Sequence, residues 1–135
     1  MSDLKKLDHV AILVPDLDGA LSFWQDKLGF KLDHVETISS MEVKIAFLPL
    51  GESEIELVQP ITEDSGLAKF LNKRGPGLHH ICLEVEDIHK KLLDLAEKGV
   101  QLIDQEPVTM DDGRKLAFLH PKSAGGVLVE LYELP

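Results

Sequence analysis

Asp8-His9-Val10-Ala11-Ile12, near the start of the chain, recurs 71 residues later as His79-His80-Ile81-Cys82-Leu83. The same shift aligns Leu57-Val58-Gln59 with Leu128-Val129-Glu130. A single shift of 71 residues therefore aligns the two halves of the chain at both their beginning and their end. Self-similarity at a fixed spacing is typical of repeat folds in which neither copy can bury its apolar face alone. A chance alignment of two amphipathic βα units is the alternative. It does not account for the recurrence of a histidine in the opening strand and of an oxygen ligand in the last one.

Length, charge and cysteine content set the class of protein. The chain has 135 residues, of which 44% are hydrophobic, which is enough for one compact domain. Its net charge of −10 repels phosphate backbones, so nucleic acid is not an expected partner. The single cysteine, Cys82, cannot form an intrachain disulfide, and no apolar stretch has the length of a signal-peptide core or a membrane span. These features predict a soluble cytoplasmic protein with no membrane partner.

The hydrophobic pattern predicts an α+β chain in which each half follows the order strand, helix, strand, strand, strand. In the first half Pro15 ends the opening strand, Asp16 is suited to cap a helix, and Gly29 is suited to end it. The predicted strands of this half are Leu7–Val14, Lys31–Thr37, Val43–Leu48 and Glu54–Val58.

The second half repeats this order. Asp87 is the predicted cap of a helix over Ile88–Lys98, and Gly99 is its predicted stop. The predicted strands are His79–Val85, Val100–Ile103, Lys115–His120 and Val127–Tyr132. Between the halves, Ser65 caps a predicted short helix over Gly66–Lys73. We therefore predict one domain over residues 1–135, made of a module at 7–61, a linker at 62–77 and a module at 78–133.

Four side chains of the metal-ligand type occupy matching places in the two halves. His9 and Gln59 are separated by 50 residues, and so are His80 and Glu130. A carboxylate in the apolar strand around Glu130 is costly to bury unless a cation meets it. Each of the four residues has a structural explanation when taken alone, such as a hydrogen-bonded core histidine. Their joint fit to the repeat predicts that they bind one metal ion.

The residue next to His80, His79, is the rival ligand, but strand alternation places it on the opposite face. Two imidazoles and two oxygen ligands leave two positions of an octahedral site for the oxygens of a substrate. A divalent ion on a carbonyl oxygen stabilises the enolate that forms when an adjacent C–H proton leaves. The pattern therefore favours Lewis-acid catalysis of proton transfer.

Several segments in order resemble a known family. They are Asp8–Ile12, Glu56–Pro60, Gly77–Val85, and His120-Pro121-Lys122 leading to Gly126–Leu131. This set is similar to the methylmalonyl-CoA epimerases of the vicinal oxygen chelate, or glyoxalase-like, superfamily. The likeness runs from about Leu7 to Tyr132, which is almost the whole chain.

The resemblance implies two paired βαβββ modules that form a cup-shaped mixed sheet. It implies His9, Gln59, His80 and Glu130 as the metal ligands, with Co²⁺ as the expected ion and Zn²⁺, Ni²⁺ or Mn²⁺ as alternatives. It further implies interconversion of (R)- and (S)-methylmalonyl-CoA by abstraction of the C2 proton through a metal-stabilised enolate. A homodimer that acts on a small acyl-CoA is also expected by similarity.

One position departs from the family. Some members carry a glutamate base where this chain has Ile45, whose side chain cannot transfer a proton. Glu130 matches the family's second proposed base and is therefore the one catalytic acid/base candidate that we name. Lys122 and Ser123, in the loop before Glu130, are candidate substrate contacts, and Lys73-Arg74 is another place where cations could meet the CoA phosphates.

Three other functions fit the same scaffold. A lactoylglutathione lyase would use similar ligands for proton transfer next to a carbonyl, although Gln59 and the Gly77–Val85 segment favour the epimerase. An Fe(II) dioxygenase would need two histidines and one carboxylate, without Gln59 as a fourth ligand. A non-catalytic protein that sequesters a small ligand is the third alternative, because the glutamate is absent at Ile45.

Overall fold

A computed structural model describes residues 3–135, which form eight β-strands and three α-helices. The strands are β1 (Leu4–Leu13), β2 (His34–Ile38), β3 (Val43–Leu50), β4 (Ser53–Pro60), β5 (Gly77–Val85), β6 (Val108–Thr109), β7 (Lys115–Leu119) and β8 (Val129–Glu133). The helices are α1 (Leu17–Leu21), α2 (Gly66–Arg74) and α3 (Ile88–Glu97), and a π-helical stretch, Ser22–Lys27, continues α1. The predicted α+β class and the order of elements within each half are confirmed. None of the helices in this part of the chain has the length and apolar composition that spanning a bilayer requires.

The chain packs as two compact units, and β1 contributes to both. The unit Val10–His79 contains the strand order β2-β3-β4-β1, in which the end of β1 runs parallel to β4. The other unit, residues 3–9 and 80–135, contains the first part of β1 in the order β1-β5-β8-β7-β6. There β5 runs parallel to β8, with Cys82 opposite Glu130, and β7 runs antiparallel to β8. The module limits at 7–61 and 78–133 remain a prediction.

In the unit Val10–His79 the strands pack on both faces. One cluster of buried side chains, which includes Ala11 and Leu13, packs against Phe70 and its neighbours in α2. A second cluster, which includes Leu48 and Leu57, packs against the side chains of α1 and the π-helical stretch. Because both faces of β1 and β3 are covered here, Val10–Val14 and Ile45–Leu48 are continuous apolar runs.

In the other unit one face of the sheet is apolar and the opposite face carries polar groups. Val129 and Leu131 of β8 pack with Leu92 of α3 in one buried cluster. Successive strand residues point to opposite faces, so Glu130 lies on the face away from α3. Ile81 and Leu83 of β5 also pack toward the α3 cluster, which places His80 on the same face as Glu130. The alternation thus separates the core from the candidate ligands.

The helix starts follow the predicted capping residues. The carboxylate of Asp16 accepts a hydrogen bond from Gly19 N at 2.9 Å, and that of Asp87 accepts one from Lys90 N at 3.1 Å. The Ser65 hydroxyl accepts one from Ala68 N at 3.1 Å. Such caps satisfy amide groups that the first helical turn leaves without partners.

Two predicted elements differ from the structure. Val100–Ile103 does not form a strand; Leu102 makes an isolated bridge to Leu119, and the short strand β6 comes later, at Val108–Thr109. The amides of both Ile103 and Asp104 donate to the carbonyl oxygen of Phe118, at 3.0 and 3.2 Å. A regular ladder cannot direct two successive amides to one carbonyl. The predicted first helix is also divided, because Leu28 N donates to Phe23 O, five residues back.

Candidate metal centre

His9, His80 and Glu130 come together on three neighbouring strands, β1, β5 and β8. The Nε2 atoms of the two histidines are 3.3 Å apart. Glu130 Oε1 lies 3.0 Å from Nε2 of His80 and 3.4 Å from Nε2 of His9. Strand register explains the convergence, since all three residues lie in one unit and point away from α3.

This arrangement of donor atoms fits one divalent cation. Ligand atoms about 2.0–2.2 Å from one ion and at right angles to each other would be about 3 Å apart, close to the observed separations. Neutral imidazole nitrogens and a carboxylate oxygen repel one another at such distances unless a cation or a proton lies between them. Two imidazoles with one carboxylate suit Co²⁺, Ni²⁺, Zn²⁺ or Mn²⁺. His9, His80 and Glu130 would therefore hold the ion.

The cluster is largely shielded from solvent. His9 and Glu130 are each only 7% exposed. The Phe118 ring lies edge-on to the His80 ring, with 5.4 Å between centroids. A carboxylate in such a place needs positive partners, as the sequence indicated. Low dielectric around the ligands strengthens every charge interaction that they make.

The pKa of Glu130 reflects two opposing effects. Burial of the carboxylate raises its pKa, but its contacts with the His80 and His9 rings lower the pKa by more. The net result lowers the pKa from its ordinary value of 4.5 to about 2. A carboxyl group whose pKa is lowered on folding stabilises the folded state above the unfolded pKa, and this stabilisation is lost as pH falls through the folded pKa.

We expect this carboxylate to contribute acid sensitivity to the metal-free protein. Between about pH 5 and pH 2 the difference in free energy of unfolding between wild type and Glu130→Gln should shrink by about 3 kcal/mol. The measurement is denaturant unfolding of both proteins, treated with chelator, across that pH range. Parallel stability curves would contradict the lowered pKa, because other carboxyl groups titrate alike in the two proteins.

Behind His9 lies a second polar group that the sequence did not identify. Nδ1 of His9 is 2.8 Å from Oδ2 of Asp8. Asp8, His9 and Cys82 each place a ligand-type atom within 4.8 Å of the others. Cys82 is fully buried, and burial raises the pKa of its thiol to about 12, so this side chain stays protonated. The available sequence signal was the Asp8-His9 dipeptide itself.

Gln59, the fourth predicted ligand, belongs to the unit Val10–His79. Its Oε1 accepts a hydrogen bond from Leu17 N at 2.7 Å, at the start of α1. The amide oxygen therefore serves a helix terminus in this structure, and its role as a metal ligand remains a prediction. His79, the rival ligand, stacks edge-on against Phe70 at 5.1 Å.

The other residues singled out in the sequence, Ile45, Lys122 and Ser123, are not members of the His9, His80 and Glu130 cluster. Ile45 is 7% exposed and belongs to the cluster that packs against α2. Lys122 and Ser123 lie in a 3-10 turn, Pro121–Ala124, with both side chains exposed. Ser123 Oγ accepts a hydrogen bond from Gln101 N at 2.8 Å. Contact of Lys122 and Ser123 with a substrate remains a prediction.

Comparison with known proteins gives a consistent result. Residues 8–118 match the model of the Glyoxalase/Bleomycin resistance protein/Dioxygenase superfamily. The chain is 40% identical to the mitochondrial methylmalonyl-CoA epimerase of Mus musculus, with 95% of this chain and 72% of that protein aligned. It is 39% identical to the ethylmalonyl-CoA/methylmalonyl-CoA epimerase of Cereibacter sphaeroides, with 96% and 98% aligned.

A solved structure is similar over the same span. It is a variant of the Streptomyces coelicolor methylmalonyl-CoA epimerase in complex with 2-nitronate-propionyl-CoA. The TM-score is 0.86 at 35% sequence identity, and the alignment covers 96% of this chain and 94% of the other. The family match and this likeness confirm the predicted glyoxalase-like fold class.

Proposed function

The chain belongs to the Glyoxalase/Bleomycin resistance protein/Dioxygenase superfamily, and we propose that it catalyses the interconversion of (R)- and (S)-methylmalonyl-CoA. The observation that carries this proposal is the near-complete alignment with proteins named as methylmalonyl-CoA epimerases. The chain is thus an isomerase that acts on a small acyl-CoA, and a related structure holds an acyl-CoA. The cluster of His9, His80 and Glu130 supports a chemistry suited to this reaction.

The reaction removes a proton from C2, next to the thioester carbonyl, and returns one to the opposite face. A divalent cation bound to the cluster would stabilise the negative charge that develops on the thioester oxygen, a contribution of several kcal/mol. His9 and His80 each offer a ring nitrogen as a ligand. Their strands fix the rings, so little reorganisation is needed when the ion binds.

Glu130 combines two roles in this proposal. Its carboxylate is a ligand atom of the cluster, 3.0 Å from Nε2 of His80. It is also the proton-transfer group that we assign, because the sequence resemblance matches it to the family's second proposed base and an ionised carboxylate can accept a proton. Ile45, in the core of the other unit, offers no proton acceptor. The group that serves the second face of C2 is not assigned.

Several finer properties are part of the proposal. We expect Gln59 as a further ligand, Co²⁺ as the ion that supports turnover, a homodimer and a cytoplasmic location. Support for them comes from the sequence resemblance to the epimerases. The donor set of two imidazoles and a carboxylate suits Co²⁺ and equally admits Zn²⁺, Ni²⁺ and Mn²⁺.

The decisive experiment is hydrogen exchange at C2. We expect the purified protein with Co²⁺ in D₂O to replace the C2 hydrogen of methylmalonyl-CoA by deuterium, as followed by NMR or mass spectrometry. The control is the same protein treated with chelator, which should exchange no faster than buffer. Failure of the Co²⁺ protein to exceed that control would eliminate the proposal.

A second substrate separates the proposed reaction from that of a lactoylglutathione lyase. The hemithioacetal of methylglyoxal and glutathione is offered to the same Co²⁺ preparation, and product formation is followed by absorbance. We expect no turnover of this compound above the metal-free control. Turnover of the hemithioacetal without exchange on methylmalonyl-CoA would instead support the lyase.

A further inference from the structure

We propose that Asp8 is a positioning residue for the metal centre: its carboxylate holds the Nδ1–H of His9 and so directs the lone pair of His9 Nε2 at the ion. This inference deepens the proposed function and depends on a metal being bound by the cluster. It assigns no contact between Asp8 and substrate.

The carboxylate of Asp8 determines the tautomer of the His9 ring. Oδ2 of Asp8 lies 2.8 Å from Nδ1 of His9, and an ionised carboxylate can only accept a hydrogen bond. Nδ1 must therefore carry a proton. In a neutral ring the other nitrogen, Nε2, then carries a lone pair of the kind that binds a cation. This nitrogen is the one that faces His80 and Glu130, at 3.3 and 3.4 Å.

The opposite tautomer of His9, with the proton on Nε2, would hinder binding of the ion. A proton on Nε2 of His9 would point at Nε2 of His80 and at Glu130 Oε1, where the ion must bind. The ring would then have to rotate or lose its proton before it could act as a ligand. A carboxylate behind a histidine ligand also makes the ring more basic, and it fixes the ring's orientation.

The burial and the neighbours of Asp8 and His9 favour a positioning role for Asp8 over an incidental surface contact. Asp8 is partly buried, with its side chain 22% exposed, and its other oxygen, Oδ1, lies 3.8 Å from Nζ of Lys6. Cys82, which is fully buried, places its sulfur within 4.8 Å of the ligand-type atoms of Asp8 and His9. Sulfur is a weak hydrogen-bond acceptor, so within this group of three the Asp8 carboxylate is the strong acceptor for Nδ1–H.

The chain contains a matched pair for comparison. Asp33 and His34 make the same contact between adjacent residues, with Nδ1 2.6 Å from Oδ2. Both of these side chains are at least half exposed, and they lie in the unit Val10–His79. Removal of Asp33 therefore deletes an equivalent hydrogen bond that serves no metal cluster.

The test measures Co²⁺ affinity by competition with a chromophoric chelator. We expect Asp8→Ala to weaken Co²⁺ binding about 10–100-fold, the usual cost of losing such a partner. Asp8→Asn keeps an acceptor oxygen without the charge and should recover part of this loss. Asp33→Ala should bind Co²⁺ as the wild type does. Wild-type affinity in Asp8→Ala, or an equal loss in Asp33→Ala, would overturn the proposal.

A second measurement uses the wild-type protein and does not depend on how the variants fold. Long-range ¹H–¹⁵N NMR spectra of the metal-free protein at neutral to mildly alkaline pH report which ring nitrogen carries the proton. We expect the Nδ1–H tautomer for His9. The Nε2–H tautomer would overturn the proposal, and so would binding of two Co²⁺ per chain, since the second ion would replace the proton between Asp8 and His9.

These outcomes separate the role of Asp8 from the proposed function. A wild-type protein that binds Co²⁺ and shows the expected tautomer, but exchanges no C2 hydrogen, leaves the role of Asp8 intact and removes the epimerase proposal. If the wild-type protein exchanges hydrogen while Asp8→Ala keeps full Co²⁺ affinity, the epimerase proposal stands and the role of Asp8 is overturned. A wild-type protein that binds no divalent metal overturns the role of Asp8.

Discussion

Replacement of His80 by alanine is expected to weaken Co²⁺ binding more than about 100-fold and to abolish exchange of the C2 hydrogen. The estimate follows from a comparison: loss of an outer partner of a ligand already costs about 10–100-fold in affinity, and loss of a ligand costs more. His80 Nε2 lies 3.0 Å from Glu130 Oε1 and 3.3 Å from His9 Nε2. Without this nitrogen, one imidazole and one carboxylate remain in the cluster.

His79 provides the matched control for this variant. It is the same residue type, one position earlier in β5, and alternation turns its side chain to the opposite face. Its ring packs edge-on against Phe70 rather than joining the described cluster. We expect His79→Ala to keep wild-type Co²⁺ affinity and exchange rate, apart from any loss of stability. Equal losses in the two variants would mean that histidine removal disturbs the strand and not a metal centre.

The same pair of variants tests the non-catalytic alternative. A protein that only sequesters a small ligand would bind it without metal, so His80→Ala would leave acyl-CoA binding intact and no preparation would exchange the C2 hydrogen. The measurement is isothermal titration calorimetry with methylmalonyl-CoA, with and without Co²⁺. Metal-independent binding together with absent exchange would favour sequestration over catalysis.

Much of the fold could be predicted because the deciding signals are local. The caps at Asp16, Ser65 and Asp87 each satisfy amides within three residues, so sequence alone identifies them. Strand alternation likewise depends only on neighbours, and in the structure it separates His80 from Ile81 and Glu130 from Leu131. The repeat then related two distant segments that local rules could not connect.

The failures arise where distant contacts decide the backbone. Val100–Ile103 has the composition of a strand, but its path is set by hydrogen bonds to one distant residue, Phe118. The carboxylate of Asp104 accepts from Phe118 N at 2.8 Å and so replaces a strand partner. In the same way, the apolar spacing of the first helix is compatible with α or π hydrogen bonding, and tertiary packing around Trp24 and Phe30 accompanies the wider turn.

The candidate site likewise has residues that the sequence predicts and contacts that it does not. Two imidazoles and a carboxylate were identified from their matching places in the repeat, and the structure brings His9, His80 and Glu130 together. Gln59 occupies the matching place in the first half, but its oxygen accepts from Leu17 N, a contact that no spacing rule anticipates. Asp8 was overlooked because strand alternation places adjacent residues on opposite faces. That rule does not predict a contact between a short side chain and the ring of the adjacent residue.

Glu130→Gln is expected to lower the rate of C2 hydrogen exchange by about 100- to 10,000-fold, the range typical of a lost general acid or base. The amide keeps the size of the carboxylate and an oxygen that can still face the ion, but it cannot accept a proton at neutral pH. The variant also loses a negative charge from the cluster and should bind Co²⁺ more weakly. The assay therefore uses saturating Co²⁺, so that kcat reports the missing proton transfer and not an empty site.

Glu84 supplies the control that matches this substitution. Like Glu130 it is 7% exposed, and it follows His80 and Cys82 on the same face of β5. Its partner is Lys5, with 3.8 Å between Glu84 Oε2 and Lys5 Nζ, and it is not part of the described metal-ligand clusters. Glu84→Gln removes an equally buried carboxylate, so we expect it to cost stability while leaving kcat nearly unchanged. If Glu130→Gln at saturating Co²⁺ exchanged hydrogen as fast as Glu84→Gln, the proton would have to move through another group, because the glutamine side chain can hold the ion's position but cannot act as a base.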